Sequence, residues 1–368
     1  MYVNQKKGRM KMELLGQIVV YTLIGILGAL GAFLLFSTIT IYSPPSVMEL
    51  SAISTPATFE TYVPKKFSVL TWNIGYAGLD ASEDFFMDGG TMSMPPNKNV
   101  VAKNMQGIKD FVASHERDFI SLQEVDENSA RSYGINEIEE IAHMLRSYFG
   151  YYALNYKVNF VPVPLSHPMG NVTSGIAVFT KYKPLKVERW SFPGDYSWPV
   201  NLFQLKRCFI ASWYNVKNSN KKLVYVNLHL SAFDKGGKLR KEQLDYLKKF
   251  MLNEYEKGNY VVVGGDWNNM MPGITLHHFE FTTPLKYLDI YINFPKDWTP
   301  AGWKWAYDAK TPSLRSDEKP YVKGENFTTI IDGFLVSPNV KILSVKTFDL
   351  GFKNSDHNPV ELEVELGK

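Results

Sequence analysis

Short apolar runs alternate with longer amphipathic segments along the chain from residue 66 to residue 368. The runs are rich in β-branched and aromatic residues and are bounded by turn-forming residues, which is typical of buried β-strands. The pattern predicts strands at residues 67–74, 118–124, 174–181, 208–214, 223–230, 260–265, 330–336 and 345–349.

The amphipathic segments predict three helices, at residues 100–114, 137–148 and 238–256. In the last segment, Leu244, Leu247 and Met251 recur at helical spacing and form one apolar face. Strands and helices alternate without an internal repeat, so we expect one α/β domain. Two long stretches, 75–99 and 293–327, lack a period, and long loops in a compact domain are often functional.

The N-terminal part has a different pattern, because residues 14–48 contain no charged residue and residues 18–41 are mostly apolar. The apolar run is long enough to span a bilayer. It exceeds the usual core of a signal peptide and no A-x-A site follows, so a retained signal anchor is favoured over a cleaved peptide or a buried core helix. The predicted organisation is a cytoplasmic segment 1–13, a transmembrane helix 14–41, a linker 42–65 and a folded domain 66–368.

The charge distribution gives the expected orientation of this anchor. Residues 1–13 contain four basic residues and one acidic residue, so positive charge precedes the apolar run. The positive-inside rule then predicts a single-pass membrane protein whose domain lies outside the cytoplasm. The rest of the chain has 36 basic and 36 acidic residues, from totals of 40 and 37. This domain therefore lacks the overall basic excess of a general nucleic-acid binder.

Polar side chains follow six separate apolar runs, at the points where the predicted strands end. Carboxylates and amides without soft ligands suit a hard cation such as Mg²⁺, and histidines with further carboxylates can transfer protons. The single cysteine, Cys208, excludes an intrachain disulfide and a cysteine-rich zinc site. The candidate site residues are Asn73, Glu124, His229, Asp266, Asn268, Asp332, Asp356 and His357.

These residues lie in a series of short motifs that resembles the endonuclease/exonuclease/phosphatase superfamily. Members of that superfamily include deoxyribonuclease I, exonuclease III and neutral sphingomyelinases. The resemblance runs in the family order from about residue 67 to 365 and implies a four-layer α/β sandwich with two mainly antiparallel sheets flanked by helices. The motifs are Trp72-Asn73, Gln123-Glu124, Ser174-Gly-Ile-Ala-Val-Phe179, Asn227-Leu-His229, Gly265-Asp266-Trp-Asn268, Ile331-Asp332-Gly333 and Ser355-Asp356-His357.

The resemblance implies a divalent metal ion, Mg²⁺ or alternatively Mn²⁺. Glu124 together with Asn73 would hold it, and Asp356 would bind it directly or through water. The metal would act as a Lewis acid and stabilise the leaving group.

The resemblance also implies the roles of the remaining groups. His357 would be the general base or the acid–base partner of the attacking water, oriented by Asp332. Asp266 would position or deprotonate that water. Asn268 and His229 would donate hydrogen bonds to the phosphoryl oxygens.

The substrate stays open at this point, because phosphomonoesterases and phosphodiesterases share such a site. The membrane anchor and the absent net charge favour a lipid or small-molecule phosphoester over nucleic acid. A nuclease of the same fold and a binding module with an inactive site are the alternatives. The expected partners are the membrane, through the N-terminal helix, and the phosphoester, with no obligate protein partner evident.

Three loop regions bear on the substrate. Phe85, Phe86 and Met87 in the stretch after Asn73 would form an apolar lip at the site or cover the core. Aromatic residues in two further loops would face a membrane, stack on bases or pack within the fold. These residues are Trp190, Phe192, Trp198, Trp298, Trp303, Trp305 and Tyr307.

Overall fold

A computed structural model describes residues 2–367, which form two large β-sheets with helices on their outer faces. The helices are α1 (Tyr2–Ile39), α2 (Lys98–Ser114), α3 (Glu137–Met144) and α4 (Lys238–Glu256). The strands are β1 (Val47–Glu49), β2 (Tyr62–Val63), β3 (Lys66–Asn73), β4 (Phe119–Asp126), β5 (Phe149–Val161), β6 (Gly170–Thr180), β7 (Lys186–Ser191), β8 (Cys208–Val216), β9 (Lys222–His229), β10 (Tyr260–Asp266), β11 (Lys304–Ala306), β12 (Leu314–Arg315), β13 (Thr328–Thr329), β14 (Asp332–Val336), β15 (Val340–Thr347) and β16 (Val360–Leu366).

Most neighbouring strands in the two large sheets are antiparallel. The first sheet has the order β1-β7-β8-β9-β10-β14-β11, with β2 paired to β8, and the second has the order β15-β16-β3-β4-β6-β5. Three pairs are parallel, namely β2 with β8, β3 with β4 and β9 with β10. Parallel pairing of β3 with β4 and of β9 with β10 brings four carboxyl-terminal strand ends to one end of the molecule.

Three apolar clusters separate four layers. Side chains such as Val69 of β3 and Val262 of β10 meet between the two sheets. Leu247 of α4 packs on the outer face of the first sheet, and Ile108 of α2 with Ile141 of α3 packs on the outer face of the second. The structure therefore confirms the predicted four-layer sandwich.

The predicted elements coincide closely with the observed ones where the apolar period is strong, as in α4 and β10. Helix α3 is shorter than predicted and ends at Met144, because the chain turns to start β5 at Phe149. Strand β16 was not predicted, although its sequence VELEVEL alternates strictly and every second residue is buried. Strict alternation of apolar and polar residues is itself a signal for a half-buried strand, just as the longer apolar runs signal fully buried strands.

The segment 42–65, predicted as a linker, lies against the first sheet instead. Residues of β1 pair with β7 from Val47↔Trp190 to Glu49↔Glu188. Strand β2 pairs with Asn215 and Val216 of β8, beyond Trp213, where the pairing with the first residue of β7 stops. The edges of the sheet offer free backbone donors and acceptors, and the two short segments pair with them. The surrounding residues are rich in Pro, Ser and Thr, which is why the sequence predicts a linker here.

A polar network joins the two sheets below the candidate site. The Gln123 side-chain nitrogen donates to Thr71 Oγ1 at 3.0 Å and to Asn227 Oδ1 at 2.7 Å. Asn227 Nδ2 in turn donates to the carbonyl oxygens of Leu122 at 3.2 Å and Ala177 at 2.8 Å. Because these groups are buried, each hydrogen bond satisfies an atom that water does not reach.

Replacing Asn227 with leucine is expected to lower the free energy of unfolding by roughly 2–4 kcal/mol. The variant removes one of the two acceptors of the Gln123 side-chain nitrogen, which keeps Thr71 Oγ1, and it removes the side-chain donor of two buried carbonyl oxygens. Leaving a buried polar group unpaired costs about 1–3 kcal/mol. Urea unfolding of the full chain in detergent measures the change. Asn220→Leu, in the exposed turn between β8 and β9, is the matched control and should alter stability by less than about 0.5 kcal/mol. Equal stabilities of the two variants would contradict the structural role of the network.

Helix α1 is the one helix in the described part of the chain that is long and apolar enough to cross a membrane. Its residues 6–32 are exposed, whereas Phe33, Leu34 and Ser37 are half-buried. The last two turns of the helix therefore touch the catalytic domain, and the preceding turns project away from it.

Candidate active site

Strand register places three predicted residues side by side at one end of the first sheet. Asp266, the last residue of β10, pairs with His229 on β9 and with Asp332 on β14. Opposed residues on adjacent strands point to the same face. Val262 and Phe334, an even number of residues away, belong to the inter-sheet core, so the three side chains point between the sheets.

Gly265 explains why this strand end is possible. Its φ is +138°, and a Cβ atom at this position would lie 2.1 Å from the Leu228 carbonyl oxygen of β9. Only glycine allows the backbone of β10 to approach β9 so closely immediately before Asp266.

The second sheet supplies Asn73 and Glu124 by two different routes. Asn73 ends β3 on the face occupied by Val69 of the core. Glu124 would point outward by simple alternation, but β4 contains a bulge between Leu122 and Val125, and Glu124 has φ of 52°. The extra residue turns the Glu124 side chain inward, as bulges beside functional sites commonly do.

The loop before β16 brings in Asp356 and His357, and it is fixed to the end of β3. Ser355 Oγ donates to the Asn73 carbonyl oxygen at 2.7 Å and accepts from the His357 backbone nitrogen at 3.1 Å. The Trp72 indole nitrogen donates to the His357 carbonyl oxygen at 2.9 Å. The Trp72-Asn73 and Ser355-Asp356-His357 motifs therefore form one structural unit.

His357 lies between two carboxylates at the centre of the site. Its Nδ1 is 2.8 Å from Asp332 Oδ2, and its Nε2 is 3.8 Å from Asp266 Oδ2. Burial opposes protonation of the ring, but the charges of Asp332 and then Asp356 outweigh it and raise the pKa of His357 well above its usual value. Burial also raises the pKa of Asp266 to about 7, against the lowering influence of His357.

Asp266 connects most of the remaining predicted residues. Its Oδ2 is 3.3 Å from His229 Nε2 and accepts from Asn73 Nδ2 at 3.0 Å, while Oδ1 accepts from the Asn268 backbone nitrogen at 2.9 Å. Burial, followed by the charges of Arg207 and His357, lowers the pKa of His229 well below its usual value. Asn268 directs its side-chain nitrogen to the Leu230 carbonyl oxygen at 2.9 Å.

The residues predicted to hold a metal also lie together. Asn73 Nδ2 is 3.3 Å from Glu124 Oε1, whereas Asn73 Oδ1 accepts from the Gly75 backbone nitrogen at 3.0 Å. Burial raises the pKa of Glu124, Arg131 lowers it, and the charge of Asp356 raises it further. Two carboxylates held together despite this repulsion form a donor set that fits a hard divalent cation.

A second group of potential ligand atoms consists of Asp266, Asp332 and His357, which lie within 4.8 Å of one another. The contact of 2.8 Å between His357 and Asp332 already engages two of these atoms in a hydrogen bond. This group therefore fits an acid–base chain better than a metal site, and the Glu124 side of the cavity is the candidate for the cation.

Six of the eight predicted residues line a cavity of about 230 Å³, namely Glu124, His229, Asp266, Asn268, Asp356 and His357, and Asn73 and Asp332 support them from behind its wall. The opposite wall is apolar and includes Phe86, Met87 and Phe233. Phe85 also lines the cavity and is buried in an apolar cluster, so the stretch after Asn73 contributes both to an apolar lip and to the core.

Arg207 is a cavity residue that sequence reasoning missed. It lies directly before β8, and within the described residues its Nη1 is buried without a hydrogen-bond partner. Burial lowers the pKa of Arg207, whereas the charges of Glu124 and Asp266 raise it. In the sequence, a single basic residue before a strand cannot be distinguished from a surface residue.

The aromatic residues of the two loops fall into a group that packs within the fold and one exposed residue. Trp298 and Trp303 are buried, and Trp305 and Tyr307 pack beside them on the outer face of the first sheet. Trp190 and Phe192 belong to the same cluster, and their rings pack against that of Phe209. Most of the aromatic residues thus pack within the fold, and Trp198, which is 58% exposed, is the exception in this set.

Comparisons with known proteins agree with this architecture. The model of the Endonuclease/Exonuclease/phosphatase family matches residues 70–357. A comparison with curated sequences gives no match.

Solved structures with the same fold share little sequence with this chain. An endonuclease/exonuclease/phosphatase from Beutenbergia cavernae DSM 12333 has a TM-score of 0.55 at 16% identity, covering 82% of this chain and 72% of that one. ANGEL2, a 2′,3′-cyclic phosphatase in complex with adenosine-2′,3′-vanadate, has a TM-score of 0.54 at 15% identity, covering 87% and 99%. TDP2 from D. rerio, complexed with a single-strand DNA product, has a TM-score of 0.50 at 14% identity, covering 82% and 99%.

Proposed function

The chain belongs to the endonuclease/exonuclease/phosphatase family of metal-dependent phosphoester hydrolases, and on that premise we propose that it is a membrane-anchored enzyme that uses Mg²⁺ to hydrolyse a lipid or small-molecule phosphoester. The observation that carries the chemistry is the pairing of His357 with Asp332 at 2.8 Å, with His357 Nε2 facing Asp266 inside the cavity. This arrangement can orient a water molecule and manage its proton.

The proposed roles follow from the positions of the side chains. The Asp266 carboxylate positions the attacking water and accepts its proton, and the His357 imidazole exchanges that proton and stabilises negative charge. Asp332 holds the ring through Nδ1 so that Nε2 faces the reacting atoms. Attack in line with the leaving group then needs little beyond positioning and charge neutralisation.

Glu124, Asn73 and Asp356 would hold the cation. When bound, a divalent metal supplies Lewis-acid polarisation of the phosphoryl group and stabilises the leaving oxygen. Mn²⁺ shares the preference for oxygen ligands, so we expect it to replace Mg²⁺.

We propose that His229 and Arg207 bind the phosphoryl oxygens, and that Asn268 joins them by releasing its side-chain nitrogen from the Leu230 carbonyl oxygen. His229 and Arg207 both line the cavity, and Arg207 has a guanidinium nitrogen without a partner in the described part of the chain. A planar guanidinium can donate two parallel hydrogen bonds to one phosphoryl group.

Replacing Arg207 with methionine is expected to lower kcat/KM by about 10- to 100-fold, mainly through KM. A lost charge-assisted hydrogen bond to a phosphoryl oxygen corresponds to about 1.5–3 kcal/mol. Steady-state kinetics with bis(4-nitrophenyl) phosphate measures the effect. Arg146→Met, in the exposed turn after α3, is the control, and equal KM values for the two variants would remove Arg207 from the phosphoryl site.

The proposed location rests on α1 and on charge. We propose that residues 1–13 remain in the cytoplasm and that the domain lies outside, as the basic residues before the apolar run indicate. The absence of net charge beyond residue 13 and the apolar cavity wall support a lipid or small-molecule ester over DNA.

A nuclease is the second candidate, because a relative with this fold has been solved with a DNA product. A binding module with an inactive site is disfavoured because the eight predicted site residues are all present and converge on one end of the sandwich.

A single mixed-substrate experiment tests the proposal. The full chain in detergent is incubated with Mg²⁺, mixed phospholipid and a short DNA duplex, and products are followed by ³¹P NMR, with His357→Ala as control. New lipid-derived phosphorus signals with intact DNA support the proposal. Cleaved DNA with intact lipid would replace it with the nuclease, and no reaction would favour soluble phosphoesters or an inactive site.

A further inference from the structure

The end of α1 packs against two loops of the catalytic domain. The ring of Phe33 stacks on Phe203, with centroids 5.8 Å apart, and meets the edge of Phe160 at 6.2 Å. The Trp198 indole nitrogen donates to Thr38 Oγ1 at 3.2 Å, and Asn159 Nδ2 donates to Thr40 Oγ1 at 3.0 Å. These contacts fix the helix beside the end of β5, where its following loop begins, and beside the loop before β8.

The length of the free part of α1 indicates where a bilayer boundary would lie. Residues 14–32 are uncharged and exposed, and at 1.5 Å per residue they span about 28 Å. The hydrocarbon core of a bilayer is about 30 Å thick. A bilayer that covers this part of the helix therefore ends near Phe33, at the level of the two loops.

These same two loops expose an unusual set of large apolar side chains. Leu165 is 86% exposed and Trp198 is 58% exposed. Apolar side chains clustered at one place commonly mark an interaction surface, and tryptophan favours the headgroup region of a bilayer. We define the apolar rim as Phe160, Val163, Leu165, Trp198 and Val200.

The apolar rim is continuous with the active-site cavity. Val163 belongs to the rim and also lines the cavity. Phe203, which stacks on Phe33 of α1, lines the cavity as well. The apolar wall with Phe86 and Met87 extends this surface toward Glu124 and His357. Apolar side chains thus extend from the end of α1 into the wall of the cavity that contains the catalytic groups.

We propose that the apolar rim inserts into the surface of the bilayer that α1 spans, so that the cavity opens onto the membrane and its substrate is a phosphoester lipid. The chemistry in this inference rests on the proposed function, whereas the docking surface does not. The apolar part of the lipid would stay against the rim and the apolar wall while its phosphoryl group reaches His229, Arg207 and Asp266. This geometry makes extraction of the lipid into water unnecessary.

A depth measurement tests the docking surface independently of activity. Cys208 is the only native cysteine and is buried, so a dye introduced at Leu165→Cys reports on that position. The full chain is reconstituted into phosphatidylcholine vesicles, and quenching of an NBD label by nitroxide-bearing lipids is recorded. Leu343→Cys in β15 is the matched control, because β15 and β5 form opposite edges of the second sheet.

We expect the label at position 165 to be quenched at least threefold more strongly than the label at position 343. Equal quenching at the two positions would overturn the docking surface. This outcome would leave the proposed hydrolase unaffected.

An activity comparison tests the route of the substrate. Leu165→Glu is compared with Leu343→Glu on vesicles of phosphatidylcholine, phosphatidic acid and sphingomyelin, and on soluble bis(4-nitrophenyl) phosphate. We expect Leu165→Glu to hydrolyse vesicle lipid at least tenfold more slowly and the soluble ester within twofold of the wild-type rate. The preserved soluble activity also shows that the variant folds.

The outcomes separate the two proposals. Hydrolysis of the soluble ester without hydrolysis of any vesicle lipid by the wild type would overturn the inference and support a soluble substrate. An equal loss of both activities in Leu165→Glu would also overturn it. Quenching at position 165 without hydrolysis of either substrate would overturn the proposed function but support the docking surface.

Discussion

Turnover of the His357→Ala variant is expected to fall by roughly 10³-fold, which lies within the range that a lost acid–base group produces. The His357 imidazole lies between two carboxylates. Its Nδ1 is 2.8 Å from Asp332 Oδ2, and its Nε2 is 3.8 Å from Asp266 Oδ2. Alanine has no imidazole, so no side chain at position 357 can exchange a proton with the reacting groups or stabilise the negative charge that develops in the transition state. Because the loss affects the chemical step, kcat should fall far more than KM rises.

The measurement needs to separate chemistry from folding, since Asp332 is buried and loses its partner in this variant. We expect a reduction in stability of about 1–3 kcal/mol, which leaves the protein folded at 25 °C, as circular dichroism can verify. His143→Ala on the exposed face of α3 is the matched control and should turn over at the wild-type rate. Turnover of His357→Ala near that of this control would refute the role of His357.

At low Mg²⁺ the Glu124→Gln variant is expected to be roughly 100-fold less active than the wild type. Part of this activity should return as the Mg²⁺ concentration increases. An amide oxygen is a weaker ligand than a carboxylate for a hard cation. In the metal-free protein, however, the neutral side chain removes the cost of burying a charge next to Asp356. The melting temperature in the presence of a chelator should therefore equal or exceed that of the wild type.

Activity titrations with Mg²⁺ and thermal unfolding with a chelator give the two readouts. Glu139→Gln, an exposed carboxylate of α3, should leave both unchanged. If Glu124→Gln keeps the wild-type Mg²⁺ requirement, Glu124 is not a metal ligand. If its stability drops sharply instead, the residue is structural.

The positions of the site residues at strand ends were predictable because the strand signal is strong on both sides of each of them. Asp266 illustrates this, since the run of valines before it allows only a buried strand. Convergence of the strand ends was not visible from composition or period. It entered through the resemblance, and the fold now shows its cause in the parallel pairing of β9 with β10.

Other features lay beyond local sequence reasoning. Simple alternation points Glu124 away from the cavity, and the bulge that corrects its direction depends on pairing with β6. Arg207 becomes notable only when its neighbours Glu124 and Asp266 are known in space. The aromatic residues of the loop 293–327 were equally ambiguous, because core packing and interface anchoring draw on the same side chains.

The direct attachment of α1 to the domain has a mechanical consequence. Because Phe33 and Thr38 fix the helix to the catalytic loops, any tilt of the helix rotates the whole domain with it. Helices tilt in order to fit their apolar length to the thickness of the surrounding bilayer. If α1 spans a membrane as we propose, the thickness of that membrane sets the angle between the catalytic cleft and the lipid surface. Thick and thin membranes would then present the same protein in different orientations.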